Sequence, residues 1–80
     1  MPTIHREDGF DFRLYPNDHH PPHVHVFKGG EEFLIELGNP PVLREERGQL
    51  SSKEIRRALE IVAEQLEKLM DAWRMLDEQR

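Results

Sequence analysis

The first half of the chain alternates apolar and polar residues in short runs bounded by turn-forming residues, a pattern typical of β-strands. The predicted strands are Thr3–Arg6, Phe10–Tyr15, His23–Lys28 and Glu31–Leu37, with a short extended piece over Val42–Arg44. Gly29-Gly30 separates the third run from the fourth and predicts a two-residue hairpin turn, because glycine readily adopts positive φ. The pattern therefore predicts an antiparallel sheet of three or four strands.

The last part of the chain changes to apolar residues at alternating steps of four and three, which indicates an amphipathic helix. These residues are Ile55, Leu59, Val62, Leu66, Leu69, Trp73 and Leu76. Ser51-x-x-Glu54 is a capping box that marks the start of the helix. We expect one α+β domain over 1–80, in which a strand region at 1–48 is covered on one face by a single long helix at 50–79.

A helix of this length would extend about 40 Å, whereas the strands would span about 20 Å. We therefore expect its far half, with Leu69, Met70, Trp73 and Leu76, to extend beyond the sheet. Two interpretations remain open. Either the end of the helix frays or bends, or the apolar stripe packs on a second chain, which would be another copy or a cognate partner protein.

The hairpin turn also predicts which residues share a face of the sheet. Opposite pairs would be His23–Glu36, Val24–Ile35, His25–Leu34 and Val26–Phe33. The valines would then face the helix. The two histidines would face the other side of the sheet together with Arg13, Tyr15 and Glu32.

The polar face holds residue types that suit acid–base chemistry. His23 and His25 are candidates for general base and acid, and Pro21-Pro22 stiffens the chain before them. Glu36 would orient His23, Arg13 would clamp a phosphate or carboxylate, and Tyr15 would donate a hydrogen bond or a proton. Such a site would cleave a phosphodiester without a cofactor. The competing interpretation is an ordinary polar strand surface, because a His-x-His pair alone is a weak motif.

A metal site is the chemical alternative. His20, His23 and His25 could supply three nitrogen ligands, with Asp18 or Glu36 as a carboxylate ligand. Three protein ligands and an open position are typical of catalytic zinc. The side-chain directions of His19 and His20 do not follow from the pattern, because both residues precede the prolines.

Charge and composition limit the partners, the kinds of site and the cellular location that we expect for this protein. The 80 residues have a formal net charge of −5, which argues against broad electrostatic binding to nucleic acid but leaves room for a small cationic site. The chain has no cysteine, which excludes a disulfide framework and a thiolate metal site. It has no apolar run of membrane-spanning length. We expect a cytoplasmic protein with no membrane partner.

Several of these segments together resemble a family of small bacterial proteins described as a domain of unknown function. The segments are Met1-Pro2-Thr3-Ile4, the strand ending in Tyr15, Pro-Pro-His-Val-His-Val over 21–26, Lys28-Gly29-Gly30, Leu50-Ser51-x-Lys53-Glu54 and the helix bearing Trp73. The resemblance implies pairing with another small domain in a toxin–antitoxin-like module, in which the histidine-bearing member resembles the toxin. His19-His20 departs from the family pattern, so the resemblance implies no role for either residue.

Three functional hypotheses follow. The first is a toxin-like component that cleaves a phosphodiester, with RNA as the substrate class, through His23 and His25. The second is a non-enzymatic module that binds a cognate small antitoxin-like protein through its helix. The third is a histidine-based protein that binds a divalent transition metal such as zinc.

Overall fold

Five antiparallel strands follow one another across a single sheet, and two helices pack on one of its faces. The computed structural model describes residues 3–79, so Met1, Pro2 and Arg80 of the predicted domain lie outside the described residues. The elements are β1 Thr3–Glu7, β2 Phe10–Arg13, β3 His23–Lys28, β4 Glu31–Glu36, β5 Val42–Arg47, α1 Ser52–Glu64 and α2 Leu66–Glu78. The α+β prediction is confirmed. The expected three or four strands and single helix are wrong in number.

The β3–β4 hairpin forms in the predicted register. Val24 lies opposite Ile35 and Val26 opposite Phe33, while His23 pairs with Glu36 and His25 with Leu34. Gly29 and Gly30 both have positive φ, at 56° and 80°, as a two-residue hairpin turn requires. The division of β3 into a valine side and a histidine side is therefore confirmed.

The core lies between the valine side of the sheet and the two helices. Val24, Val26 and Ile35 have no exposed surface, and neither do Ile61 and Leu69 from the helices that cover them. Phe10, Phe12, Leu14, Phe33, Leu37, Ala58, Val62 and Trp73 complete the cluster. Burial of this apolar surface is the main stabilising contribution to the fold.

Strand β5 extends three residues beyond the predicted extended piece. The prediction stopped short because a β-bulge disrupts the alternation of apolar and polar residues in this strand. Ile35 pairs with Leu43, but the preceding residue of β4, Leu34, pairs with Glu45, so Arg44 is the extra residue. Leu43 thereby packs against the core, while Arg44 and Glu45 line the opposite side of the sheet. A bulge of this kind re-aims side chains in a way that period-two reasoning does not anticipate.

The predicted long helix is interrupted at Gln65, where the backbone turns to φ −103° and ψ 18° between α1 and α2. The longest dimension of the chain is 35 Å, which is shorter than the ~40 Å of a straight helix over 52–78. Leu69 is fully buried and Trp73 is 1% exposed within this one chain. The predicted overhang is therefore wrong, because the helical segment changes direction and keeps its apolar stripe on the sheet.

The start of α1 follows the capping box. The Ser51 side chain accepts a hydrogen bond from the Glu54 backbone N–H at 3.2 Å. The Glu54 carboxylate in turn pairs with Lys28 at the β3–β4 turn, at 3.1 Å. This pair ties the first turn of the helix to the hairpin. In the described part of the chain, neither helix has the length and hydropathy needed to cross a membrane.

Candidate functional site

A polar cleft of about 430 Å³ opens on the histidine side of the sheet. Its lining includes Asn17, Asp18, His23, His25, Arg44 and Arg47. Three parts of the chain therefore meet there: the loop after β2, the start of β3, and the bulged strand β5. The sequence placed the histidines on this side but did not anticipate the contribution from β5.

Asp18 is held at the cleft by a tight turn. The Asp18 backbone N–H donates to the Tyr15 carbonyl at 3.1 Å, and the Tyr15 N–H donates to Asp18 Oδ2 at 3.2 Å. Pro16 follows Tyr15, and proline favours the second position of such turns because its φ is already set. With Oδ2 engaged by the backbone, Oδ1 is directed at the two histidine rings.

The outer nitrogens of both rings converge on that one oxygen. His25 Nε2 lies 3.2 Å from Asp18 Oδ1, and His23 Nε2 lies 3.6 Å from the same atom. The ligand atoms of Asp18, His23 and His25 all lie within 4.8 Å of one another. They form a compact set of two nitrogens and one carboxylate oxygen at the cleft.

The inner nitrogens have acceptors of their own. His23 Nδ1 lies 3.0 Å from the Pro21 carbonyl, which accepts only, so this nitrogen donates, and in a neutral ring Nε2 carries the lone pair. His25 Nδ1 lies 3.1 Å from Glu32 Oε2. A neutral imidazole has a single N–H, so His25 cannot donate to both Glu32 and Asp18. The cluster thus has more acceptors than donors, and a cation or an added proton would stabilise it.

The rings lie side by side but are more enclosed than the sequence suggested. Their centroids are 5.3 Å apart, which agrees with the predicted shared side. Tyr15 packs edge-on against His25 at 4.7 Å, and Trp73 of α2 lies 5.5 Å from His23. His23 and His25 are 7% and 9% exposed, so the histidine side of β3 is not an open polar surface at these rings. They reach the cleft without projecting into solvent.

Arg13 stands apart from this cluster. It pairs with His25 across the β2–β3 ladder, but its guanidinium binds Asp11 at 2.9 Å and lies over the Phe27 ring at 4.3 Å. The hydrogen bond from Arg13 lowers the pKa of the Asp11 carboxyl below its ordinary value. Arg13 is not part of the cleft lining, and neither is Tyr15, whose ring packs against His25 and whose backbone holds Asp18.

Glu36 does not make its expected contact with His23. Although the two residues are paired in the ladder, Glu36 Oε1 lies 3.9 Å from Arg44 Nε, and His23 Nδ1 is engaged by a backbone carbonyl. Among the described residues, the carboxylates within hydrogen-bond distance of the rings are Asp18 and Glu32, both on His25. Glu32 orients His25, while the Pro21 carbonyl holds His23 in the way that was expected of Glu36.

His20 also departs from expectation, because it does not join the compact set. Its Nε2 lies 3.2 Å from both carboxylate oxygens of Asp77, and its ring packs edge-on against Trp73 at 5.6 Å. His20 lies at the exposed rim of the cleft. The three-histidine arrangement is thus replaced by two histidines and Asp18, which the sequence offered only as an alternative carboxylate.

The cations of the cleft come from β5. Arg47 lies 3.4 Å from Glu32 and 3.1 Å from Glu45, and the hydrogen bond to Glu45 raises the pKa of the Arg47 guanidinium. Arg44 is the bulged residue beside it. A sequence signal existed for Asp18, in the Tyr-Pro-Asn-Asp turn. None existed for the arginines, because their placement depends on the bulge.

Fold and site together define a small α+β protein in which an antiparallel meander carries a histidine–aspartate cluster on the histidine side of β3, with Trp73 of α2 against His23. Residues 9–74 match the family described as Domain of unknown function (DUF4160), and the chain belongs to that family. No curated protein and no solved structure matches the chain.

Proposed function

We propose that the cleft activates an oxygen nucleophile and cleaves a phosphodiester, with RNA as the substrate class. The observation that carries this proposal is the convergence of His23 Nε2, His25 Nε2 and Asp18 Oδ1 beside the arginines of β5. Acceptor atoms in this arrangement can take up the proton of an attacking water or hydroxyl.

The roles follow from the placement of each side chain. Glu32 and the Pro21 carbonyl orient the two rings, and Asp18 holds the nucleophile between them. Arg44 and Arg47 would bind the phosphate oxygens, the role that was expected of Arg13. The nucleophile would attack phosphorus, its proton would pass to the acceptor cluster, and the departing oxygen would take a proton from water.

The biological setting is part of the same proposal. The chain would act as the toxin-like member of a two-protein module, and a cognate small protein would neutralise it. The alternative of a purely binding module relied on an exposed helical stripe. Leu69 and Trp73 are buried against the chain's own sheet, so the stripe no longer favours a partner-binding role.

RNA integrity and growth after induced expression test the proposal. Wild-type protein should degrade RNA and slow growth, and Asp18→Asn and His23→Ala should each reduce RNA cleavage at least a hundredfold. Glu67→Gln is the matched control, because Glu67 is an exposed carboxylate on α2 outside the cleft lining, and it should behave as wild type. Equal RNA cleavage by wild type and by both site variants would refute the proposal.

A further inference from the structure

We infer that Asp18, His23 and His25 bind a divalent transition metal, with zinc as the best match to their chemistry. This inference deepens the proposed function and rests on it for the reaction, but metal binding itself rests on geometry alone. Two imidazole nitrogens and a carboxylate oxygen form a recognised ligand set for catalytic zinc, with the remaining position left for water or substrate.

The distances from Asp18 Oδ1 to the two ring nitrogens fit such an ion. Bonds of about 2.0–2.2 Å to a tetrahedral ion would place neighbouring ligand atoms about 3.3–3.6 Å apart. Asp18 Oδ1 lies 3.2 Å from His25 Nε2 and 3.6 Å from His23 Nε2. The two ring nitrogens lie within 4.8 Å of each other, so side-chain adjustment would bring all three atoms to an ion. The ion would relieve the repulsion among acceptors that face one another.

The partners of the other ring nitrogens support the same conclusion. Histidines that bind a metal through one nitrogen usually donate from the other to a carboxylate or a backbone carbonyl, which fixes the ring and its tautomer. His25 has Glu32 in that position at 3.1 Å, and His23 has the Pro21 carbonyl at 3.0 Å. Both rings thus present Nε2 to the cluster while Nδ1 is engaged behind it.

The surroundings favour a pre-formed site. His23 is 7% exposed and His25 is 9% exposed, and both are fixed by aromatic neighbours. The two ligating histidines stand two residues apart on one strand, so their side chains project to the same side without loop rearrangement. A bound zinc ion would lower the pKa of a coordinated water and so supply the nucleophile of the proposed reaction. That water would lose its proton to solvent, because the three acceptor atoms would then hold the ion.

Calorimetric titration of untagged, chelator-treated protein with zinc chloride tests the inference. Wild type should bind one equivalent, and its melting temperature should rise by about 10 °C or more at a hundredfold excess over the dissociation constant. Asp18→Asn should bind zinc at least a hundredfold more weakly while keeping its circular dichroism spectrum. Glu32→Gln should weaken zinc binding by about 10–100-fold, because it removes the carboxylate behind His25.

Two matched controls make the assignment specific. Glu36→Gln and His20→Ala should bind zinc as wild type does, because neither side chain belongs to the compact set. The inference is overturned if wild type binds no zinc, if Asp18→Asn and Glu32→Gln both bind it unchanged, or if His20→Ala abolishes binding.

The metal inference and the proposed function can fail separately. RNA cleavage that persists in chelator, by a protein that binds no zinc, would overturn the inference and leave the function standing. Stoichiometric zinc binding at Asp18 without any RNA cleavage would overturn the proposed function and leave the metal inference standing.

Discussion

Strand β3 presents valines to one side of the sheet and histidines to the other. The two sides differ in whether their side chains find all of their packing or hydrogen-bond partners within the chain. Val24 and Val26 lie in a closed apolar core in which burial alone accounts for their stability. His23 and His25 are almost as buried, yet the outer nitrogens of both rings face the same Asp18 oxygen while each inner nitrogen has an acceptor of its own. The first side is complete within the chain, whereas the second would be stabilised by an additional cation or proton.

This difference indicates where function should be sought. A buried polar group is normally paired, so a cluster with an excess of acceptors is an exception that requires an explanation. Such an arrangement lowers the stability of the isolated protein and favours binding of whatever completes it. The stability of the two sides should therefore respond differently to substitution.

The largest expected effect comes from Trp73→Ala, which would open the core where α2 meets the sheet. Loss of a fully enclosed indole should lower the free energy of unfolding by about 3–5 kcal/mol in urea denaturation. Met75→Ala is the matched control on the same helix, since Met75 is 64% exposed, and it should change stability by less than about 0.5 kcal/mol. A normally stable Trp73→Ala protein with an altered oligomeric state would instead place this residue at an interface.

A paired substitution compares the two sides directly. Val26→Thr puts a hydroxyl into the apolar core and should lower the free energy of unfolding by about 1–3 kcal/mol. Asp18→Asn should cost less than that in metal-free protein, because the amide oxygen can still accept from Tyr15 and the amide nitrogen can donate to a ring. Chemical denaturation in chelator measures both variants. A larger loss for Asp18→Asn would mean that the carboxylate is mainly structural.

A moderate effect on stability is expected at the start of α1, which belongs to neither the valine side nor the histidine side of β3. Ser51→Ala removes the acceptor for the Glu54 backbone N–H and should lower the free energy of unfolding by about 1 kcal/mol. Ser52→Ala changes the neighbouring hydroxyl without touching the cap, so thermal unfolding should separate the two variants by several degrees. Identical melting temperatures would contradict the capping role.

The smallest effect concerns the ion pair between helix and hairpin. Lys28 donates to Glu54 and lowers the pKa of this carboxyl below its ordinary value. Because the folded pKa is the lower one, the stabilisation is present above the ordinary pKa and is lost as pH falls through the folded value. Between about pH 5 and pH 3, the free energy of unfolding of Glu54→Gln should therefore fall slightly less than that of wild type.

The exposed Glu67 provides the control for this pH dependence. Glu67→Gln should unfold with the same pH dependence as wild type, because Glu67 lies on α2 away from the hairpin pair. Parallel pH profiles for wild type and Glu54→Gln would show that the Lys28 pair does not contribute to stability.

The sequence by itself determined the local elements and the division of β3. Alternation, the glycine pair and the capping box each act over a few residues, so they predicted the hairpin register, the two sides of β3 and the start of α1 correctly. The Pro-Pro-His-Val-His segment likewise placed two imidazoles together, because side-chain direction in a strand follows from parity alone.

Tertiary structure decided the rest. No proline or glycine marks the interruption of the helix at Gln65, so the local sequence did not predict it. The interruption allows Leu69 and Trp73 to be buried against the sheet, and this burial outweighs the continuity of the helix. The bulge at Arg44 likewise depends on how β5 pairs with β4. Asp18 and Glu32 became the partners of the rings, instead of His20 and Glu36, because distances across a loop or along a diagonal of the sheet depend on the folded geometry.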